Sequence, residues 1–257
     1  TQEPVAVLML DLGSEQLAVS SVASVSTVLY WKVLQWAGYA KVEKLAHLEF
    51  RLDRDGTLDA FRSAYQAQFN GRWEDLHNDP LLGVARADRL VPRFYPQDFP
   101  APGAFSSLRF SLAGTVRDLA QEMLDLIQRK TGRRNILFLI DEAGQYVAPR
   151  SELILNLDGL ARNFKELGKG RVWIAATGQQ TLAEIVERAA YNSAELNKLR
   201  DRFPIALELD ARDIREITAK RLLTKSAEGT AALATLYRQH GQGLEANTRL
   251  SGSALYK

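Results

Sequence analysis

The sequence predicts an α/β protein in which a parallel β-sheet lies between two layers of helices, a three-layer αβα arrangement. Apolar runs of strand length recur at residues 5–12, 135–140, 171–176 and 204–209. Helical periodicities separate the last three, and the run at 135–140 ends in two adjacent acids. Strands alternating with helices form βαβ units, whose parallel strands are normally covered on both faces.

Composition narrows the class. The chain has 257 residues, enough for one large domain or a domain and a half. Its 46% hydrophobic and 25% charged residues are ordinary for a globular protein. A formal net charge of +2 gives no argument for nucleic acid. The absence of cysteine excludes disulfides and cysteine-held metals, and agrees with the reducing cytoplasm, the expected location. The longest apolar runs are far shorter than the ~20 residues of a membrane-spanning helix.

Each element follows from local pattern. Residues 5–12 (VAVLMLDL) are continuously apolar up to Asp11 and stop at Gly13-Ser14, as a buried strand would. A helix is expected over 19–37, with Val22, Val25, Leu29, Val33 and Trp36 on one face and Gly38 as its stop. Residues 39–112 read as a helical, irregular insertion with one helix at 58–69. The four prolines within 92–103 predict a loop, and Asp53-Arg54-Asp55-Gly56 a turn rather than a calcium loop, because the other ligand positions are missing.

From residue 112 the rhythm becomes regular. A helix at 115–130, stopped by Gly132, leads to the strand at 135–140. A helix at 152–167 carries the apolar stripe Leu153, Leu157, Leu160, Phe164 and Leu167, and leads to the strand at 171–176. A helical stretch at 182–199 leads to the strand at 204–209. Asp210 and Asp213 then suit the N-terminus of a further helix, with helical structure to about His240. Residues 1–209 are thus expected to form the core and 210–257 the start of a helical lid.

Chemistry concentrates at one strand end. Asp141 and Glu142 close the run Ile136-Leu137-Phe138-Leu139-Ile140, placing two carboxylates at the sheet edge where α/β proteins bind ligands. A nucleotide–magnesium complex needs one carboxylate for the ion's water shell and another to activate the attacking water. Asp141 suits the first role and Glu142 the second. A buried strand ending in two solvated acids is the plain alternative. The next strand ends in the polar run Thr177-Gly178-Gln179-Gln180, whose plain reading is a loop with Gly178 as a turn glycine. Arg202-Phe203 precedes the last strand, and a permanently charged guanidinium there can neutralise the charge of a phosphate. For an isolated arginine, a surface ion pair is the ordinary alternative. None of His47, His77 and His240 has metal-ligand spacing.

The order of acidic strand, polar strand end and Arg-Phe pair resembles AAA+ ATPases. More specifically, Phe138-Leu139-Ile140-Asp141-Glu142-Ala143-Gly144-Gln145-Tyr146 resembles the F-L-I-D-E-[VA]-G-Q-Y signature of the BrxC/PglY ATPases of BREX phage-defence systems. Leu155-Asn156-Leu157, the stretch from Trp173 to Gln180, Arg202-Phe203 and Tyr30-Trp31-Lys32-Val33-Leu34 match as well.

The resemblance implies a P-loop NTPase-type core that binds ATP and Mg²⁺. It implies Asp141 on the metal through water, Glu142 as base, Thr177 or Gln179 as sensor, and Arg202 (or Arg200) as an arginine finger between copies of the chain. It also implies partnership with other BREX components and a role in blocking phage DNA replication, with direct DNA contact left open. Origin-recognition or helicase-loader ATPases share the Asp-Glu strand and the Arg-Phe pair but do not require Gly144-Gln145-Tyr146. A nucleotide-ordered DNA-binding scaffold without turnover is the rival from another class.

The sequence contains no G-x-x-x-x-G-K-[ST] phosphate loop. In this fold that loop precedes the strand at 5–12, so it is expected upstream of Thr1. The 257 residues alone are expected to be inactive. They are also expected to be unstable, because the AAA+ strand order puts the missing strand between those at 171–176 and 204–209.

Overall fold

The computed structural model describes residues 3–15, 23–110, 112, 114–148, 150–178, 199, 201–207, 211–221 and 224–248. Two compact units divide the chain, Thr1–Ile205 and Ala206–Lys257.

The first unit is mixed α/β, with a three-stranded parallel sheet in the order β1 (Val5–Asp11), β2 (Asn135–Asp141), β3 (Val172–Ala176). The register is even: Val5 lies opposite Asn135 and Asp11 opposite Asp141, while Ile136 faces Val172 and Ile140 faces Ala176. One sheet face carries Ala6, Leu8, Leu10, Ile136, Phe138 and Ile140, all buried. Over it lie three mutually packed helices: α2 (Val25–Trp36), α7 (Val116–Thr131) and α9 (Ser151–Gly168). Phe138 stacks flat on Phe164 of α9 at 4.5 Å between ring centres.

The opposite face departs from expectation. Val5, Val7, Met9 and Trp173 are exposed, Met9 at 76% and Trp173 at 49%. A continuous apolar run puts apolar groups on both faces of a strand, but only the face that receives helices is buried. Among the described residues that is one face.

Several boundaries move for local reasons. The first strand stops at Asp11, and Leu12–Glu15 form a short helix α1 instead of a plain break. Helix α2 starts at Val25 rather than 19, because Ser24 is extended and its hydroxyl accepts from the amide of Thr27 at 3.3 Å. Its buried face includes Val25, Leu29 and Val33, but Trp36 is 42% exposed, and Val22 lies outside the described residues. Helix α7 begins with a reciprocal capping box between Thr115 and Asp118 and ends at Gly132, where φ is +68°.

The segment at 39–112 holds α3 (Glu43–Arg54), α4 (Leu58–Phe69), a 3₁₀ turn (Trp73–Leu76), α5 (Pro80–Phe94) and α6 (Ala104–Ser107). Asp53 and Arg54 belong to the last turn of α3, and the predicted turn is made at Asp55-Gly56. The Asp53 carboxylate accepts from the Tyr39 hydroxyl at 2.6 Å and from Lys130 at 3.0 Å, a cross-tie between helices. The proline loop starts three residues later than expected. Pro92 sits inside the last turns of α5, where it removes one helical amide yet leaves Tyr95 N–H bonded to Val91. The buried Asp88 carboxylate accepts from the amides of Gly103 and Ser106 and ties that loop down. Phe61, Tyr65 and Trp73 pack edge to face at about 5 Å in the core of this segment.

The expected strand at 204–209 is not formed over 204–207, and 208–209 lie outside the described residues. Ile205 is 83% and Leu207 89% exposed. A strand exists only where a neighbour supplies ladder hydrogen bonds, and β3 pairs only with β2 among the described strands. The helix expected at 182–199 lies outside the described residues except Leu199, which is helical and buried.

The described part of the second unit is two helices, α10 (Ala211–Arg221) and α11 (Ala227–Thr248). Asp210 lies outside it. Helix α11 continues eight residues past His240, through Gly241 and Gly243, neither of which takes a positive φ. Helical glycines cost about 1 kcal/mol each without forbidding the helix. No described helix is long and apolar enough to cross a membrane.

Candidate active site

The parallel register brings three strand ends together at the carboxyl edge of the sheet. Asp141 ends β2, Asp11 ends β1 directly opposite it, and Thr177 follows β3. The backbone of Thr177 prolongs the ladder: its N–H donates to Ile140 O at 2.9 Å, and its carbonyl accepts from Gly144 N–H at 3.4 Å. Its hydroxyl is thereby aimed at the acidic pair.

That hydroxyl donates to Asp141 Oδ1 and accepts from the Glu142 amide at 3.1 Å. The Glu142 amide also donates to Asp141 Oδ1 at 3.0 Å. One hydroxyl and one amide thus hold the Asp141 carboxylate in a single orientation. Glu142 itself is left-handed, with φ +57° and ψ +22°. For a residue with a Cβ this conformation costs about 1–2 kcal/mol. It turns the chain sharply from β2 into the short helix α8 (Ala143–Val147). Tyr146 of that helix is buried, and its hydroxyl donates to Ala23 O at 2.7 Å, just before α2. The stretch Gly144-Gln145-Tyr146 therefore anchors the acidic turn at both ends, through the Gly144 amide and the Tyr146 hydroxyl.

Asp11 and Gly13 complete this edge, a role beyond the strand stop that the sequence assigns to them. Gly13 N–H donates to Asp11 Oδ1 at 2.9 Å. A methyl group built on Gly13 would fall inside the van der Waals surface of Glu142 Oε2 and 2.8 Å from its Cδ. The signal was present as an acid two residues before a glycine at a strand end, but only strand pairing places it beside residue 141.

Of the predicted site residues, the structure brings together Asp141, Glu142 and Thr177. Gln179 and Arg200 lie outside the described residues. Arg202 is on a helical turn, where its Nε donates to Asp158 Oδ1 of α9 at 2.8 Å. It is thus engaged within its own subunit. Among the described residues no group of three or more His, Cys, Asp or Glu side chains has the geometry to ligate a metal ion. An open cavity lined by Phe50, Arg54, Glu122 and Arg129 shares no residue with this edge.

Thr177→Val, which keeps the shape and removes the hydroxyl, should cost about 1 kcal/mol, and Thr177→Ser clearly less. Equal thermal melts for Val and the native residue would show that the bridge adds nothing to stability.

Fold and site together define a mixed α/β protein with an Asp-Glu pair, braced by a neighbouring-strand threonine, at the carboxyl edge of a parallel sheet. No family model matches the chain, and no solved structure matches it.

Proposed function

We propose that this sequence is part of an ATP-binding and ATP-hydrolysing protein of the P-loop NTPase, AAA+ type, acting in a BREX anti-phage defence complex. The observation that carries this reading is the hydrogen-bonded set Asp141, Glu142 and Thr177 at the carboxyl edge of the sheet. Its carboxylate and hydroxyl oxygens are the hard donors that Mg²⁺ prefers. Asp141 would hold the ion through its water shell, as Mg²⁺ usually keeps several of its waters. Bound Mg·ATP supplies the phosphoryl group that is transferred to water.

The chain's own residues do the rest. Glu142 accepts the proton of the attacking water at its carboxylate. Thr177 holds Asp141 in place and serves as the phosphate sensor, with Gln179 as the other candidate. Arg202 acts as finger toward the site of a second copy. The phosphate cradle is not among these 257 residues. The resemblance of residues 138–146 supports the BREX assignment, with other BREX components and further copies of the chain as partners in the cytoplasm.

The test uses the full-length polypeptide that carries this sequence. Phosphate release from Mg·ATP, with and without DNA, should be measurable. Binding without turnover would favour the nucleotide-ordered DNA-binding scaffold. A gene neighbourhood without BREX methyltransferase and phosphatase-like genes would favour an origin-recognition or helicase-loader type ATPase.

The Arg202–Asp158 pair makes the finger assignment testable against a structural role. Arg202→Ala should lower turnover about a thousandfold or more, the scale of arginine fingers, with nucleotide affinity of the isolated protomer unchanged. Mixing it with Glu142→Gln protomers should restore part of the activity, since one interface then keeps an intact site and an intact finger. No recovery in oligomers shown to be mixed would leave Arg202 as a brace to α9.

A further inference from the structure

We infer that Gly13 is a positioning residue for Glu142: its bare Cα is the seat against which the Glu142 carboxylate rests, and that seat sets where the base points. The inference rests on the proposed hydrolytic role of Glu142. Three observations carry it. A Cβ at Gly13 would overlap Glu142 Oε2 and stand 2.8 Å from Cδ and 3.2 Å from Asp11 Oδ1. Gly13 lies in α1 without a positive φ, so its backbone conformation does not demand glycine. The backbone of Glu142, by contrast, is pinned: its amide bonds to Asp141 and Thr177, and its carbonyl accepts from Tyr146 N–H at 3.2 Å.

An added methyl would therefore be accommodated by the side-chain torsions of Glu142, because neither backbone yields as easily as a carboxylate at the end of two methylenes. The fold would survive while the carboxylate moves. Displacements of about 1 Å at a catalytic group can cost about a hundredfold in rate. Asp11 contributes by holding the Gly13 amide, which keeps the turn against the acidic pair.

The test compares Gly13→Ala, Glu142→Ala and the double variant in the full-length polypeptide, with Glu142→Gln alongside. Gly13→Ala should lower kcat by about ten- to a hundredfold with little change in ATP affinity. In thermal melts, Gly13→Ala should raise Tm by about 1–2 °C in the Glu142→Ala background, as glycine-to-alanine changes in helices do. It should give less gain or a loss where Glu142 is present, because only there does the methyl overlap the Glu142 carboxylate, while the 3.2 Å approach to Asp11 Oδ1 is common to both backgrounds. Equal Tm shifts in both backgrounds would overturn the inference, with or without measurable turnover. So would native kcat for Gly13→Ala beside an inactive Glu142→Gln. If Glu142→Gln turns over normally while the Tm shifts differ between backgrounds, the hydrolytic reading of Glu142 fails and the seat remains as a packing contact.

Discussion

Glu142→Gln in the full-length polypeptide should reduce ATP turnover by about a hundredfold or more and leave Mg·ATP binding nearly unchanged. The amide is isosteric, so the left-handed turn and the bonds of its backbone amide to Asp141 and Thr177 should persist. What disappears is the ability to take a proton. Asp141 keeps both its carboxylate and the Thr177 hydroxyl that orients it, so the proposed metal-binding half of the site is untouched. Single-turnover phosphate release, paired with equilibrium binding of a nucleotide analogue, separates the two halves. Near-native hydrolysis would remove Glu142 as the base. Weakened binding with unchanged chemistry would instead assign it to the metal.

Glu49→Ala should cause the largest loss of stability, about 3–5 kcal/mol, a large share of the 5–15 kcal/mol typical of a whole domain. Glu49 is fully buried in α3. Its Oε1 accepts from Trp73 Nε1 at 2.7 Å and pairs with His77 Nε2 at 2.9 Å, and its Oε2 accepts from Ala40 N–H at 2.6 Å. Truncation leaves these three groups facing a small apolar void, and unpaired buried donors cost about 1–3 kcal/mol each. Glu49→Gln should cost less, since one oxygen remains an acceptor, but its NH₂ must then oppose a donor. Urea melts of the two variants should rank them Ala below Gln below native. A loss under about 1 kcal/mol for Glu49→Ala would mean that water or rearrangement replaces the network.

Much of this architecture was legible because it is local. The 3.6-residue stripe Leu153, Leu157, Leu160 and Phe164 is the buried face of α9, and the apolar run 136–140 is β2 with Asp141 at its end. Thr115, Gly132 and Gly38 mark ends through backbone rules that operate within a few residues. Boundaries erred where a side chain intervened, as with the Ser24 cap and the tolerated Pro92.

By itself, then, the sequence determined most of the described strands and helices, though not the absence of a strand over 204–207, and that an Asp-Glu pair ends a parallel strand. Periodicity, capping and turn chemistry depend on neighbours only a few residues away. The tertiary structure alone decided what meets those residues. It placed Asp11 opposite Asp141 across 130 positions, seated Glu142 on Gly13, paired Arg202 with Asp158 and buried Glu49 among three donors. Among the described residues it also left one face of the sheet uncovered. Each of these depends on strand register and helix docking, which are set by contacts between residues far apart in sequence; a one-residue slip of a strand alone would turn its side chains to the other face of the sheet.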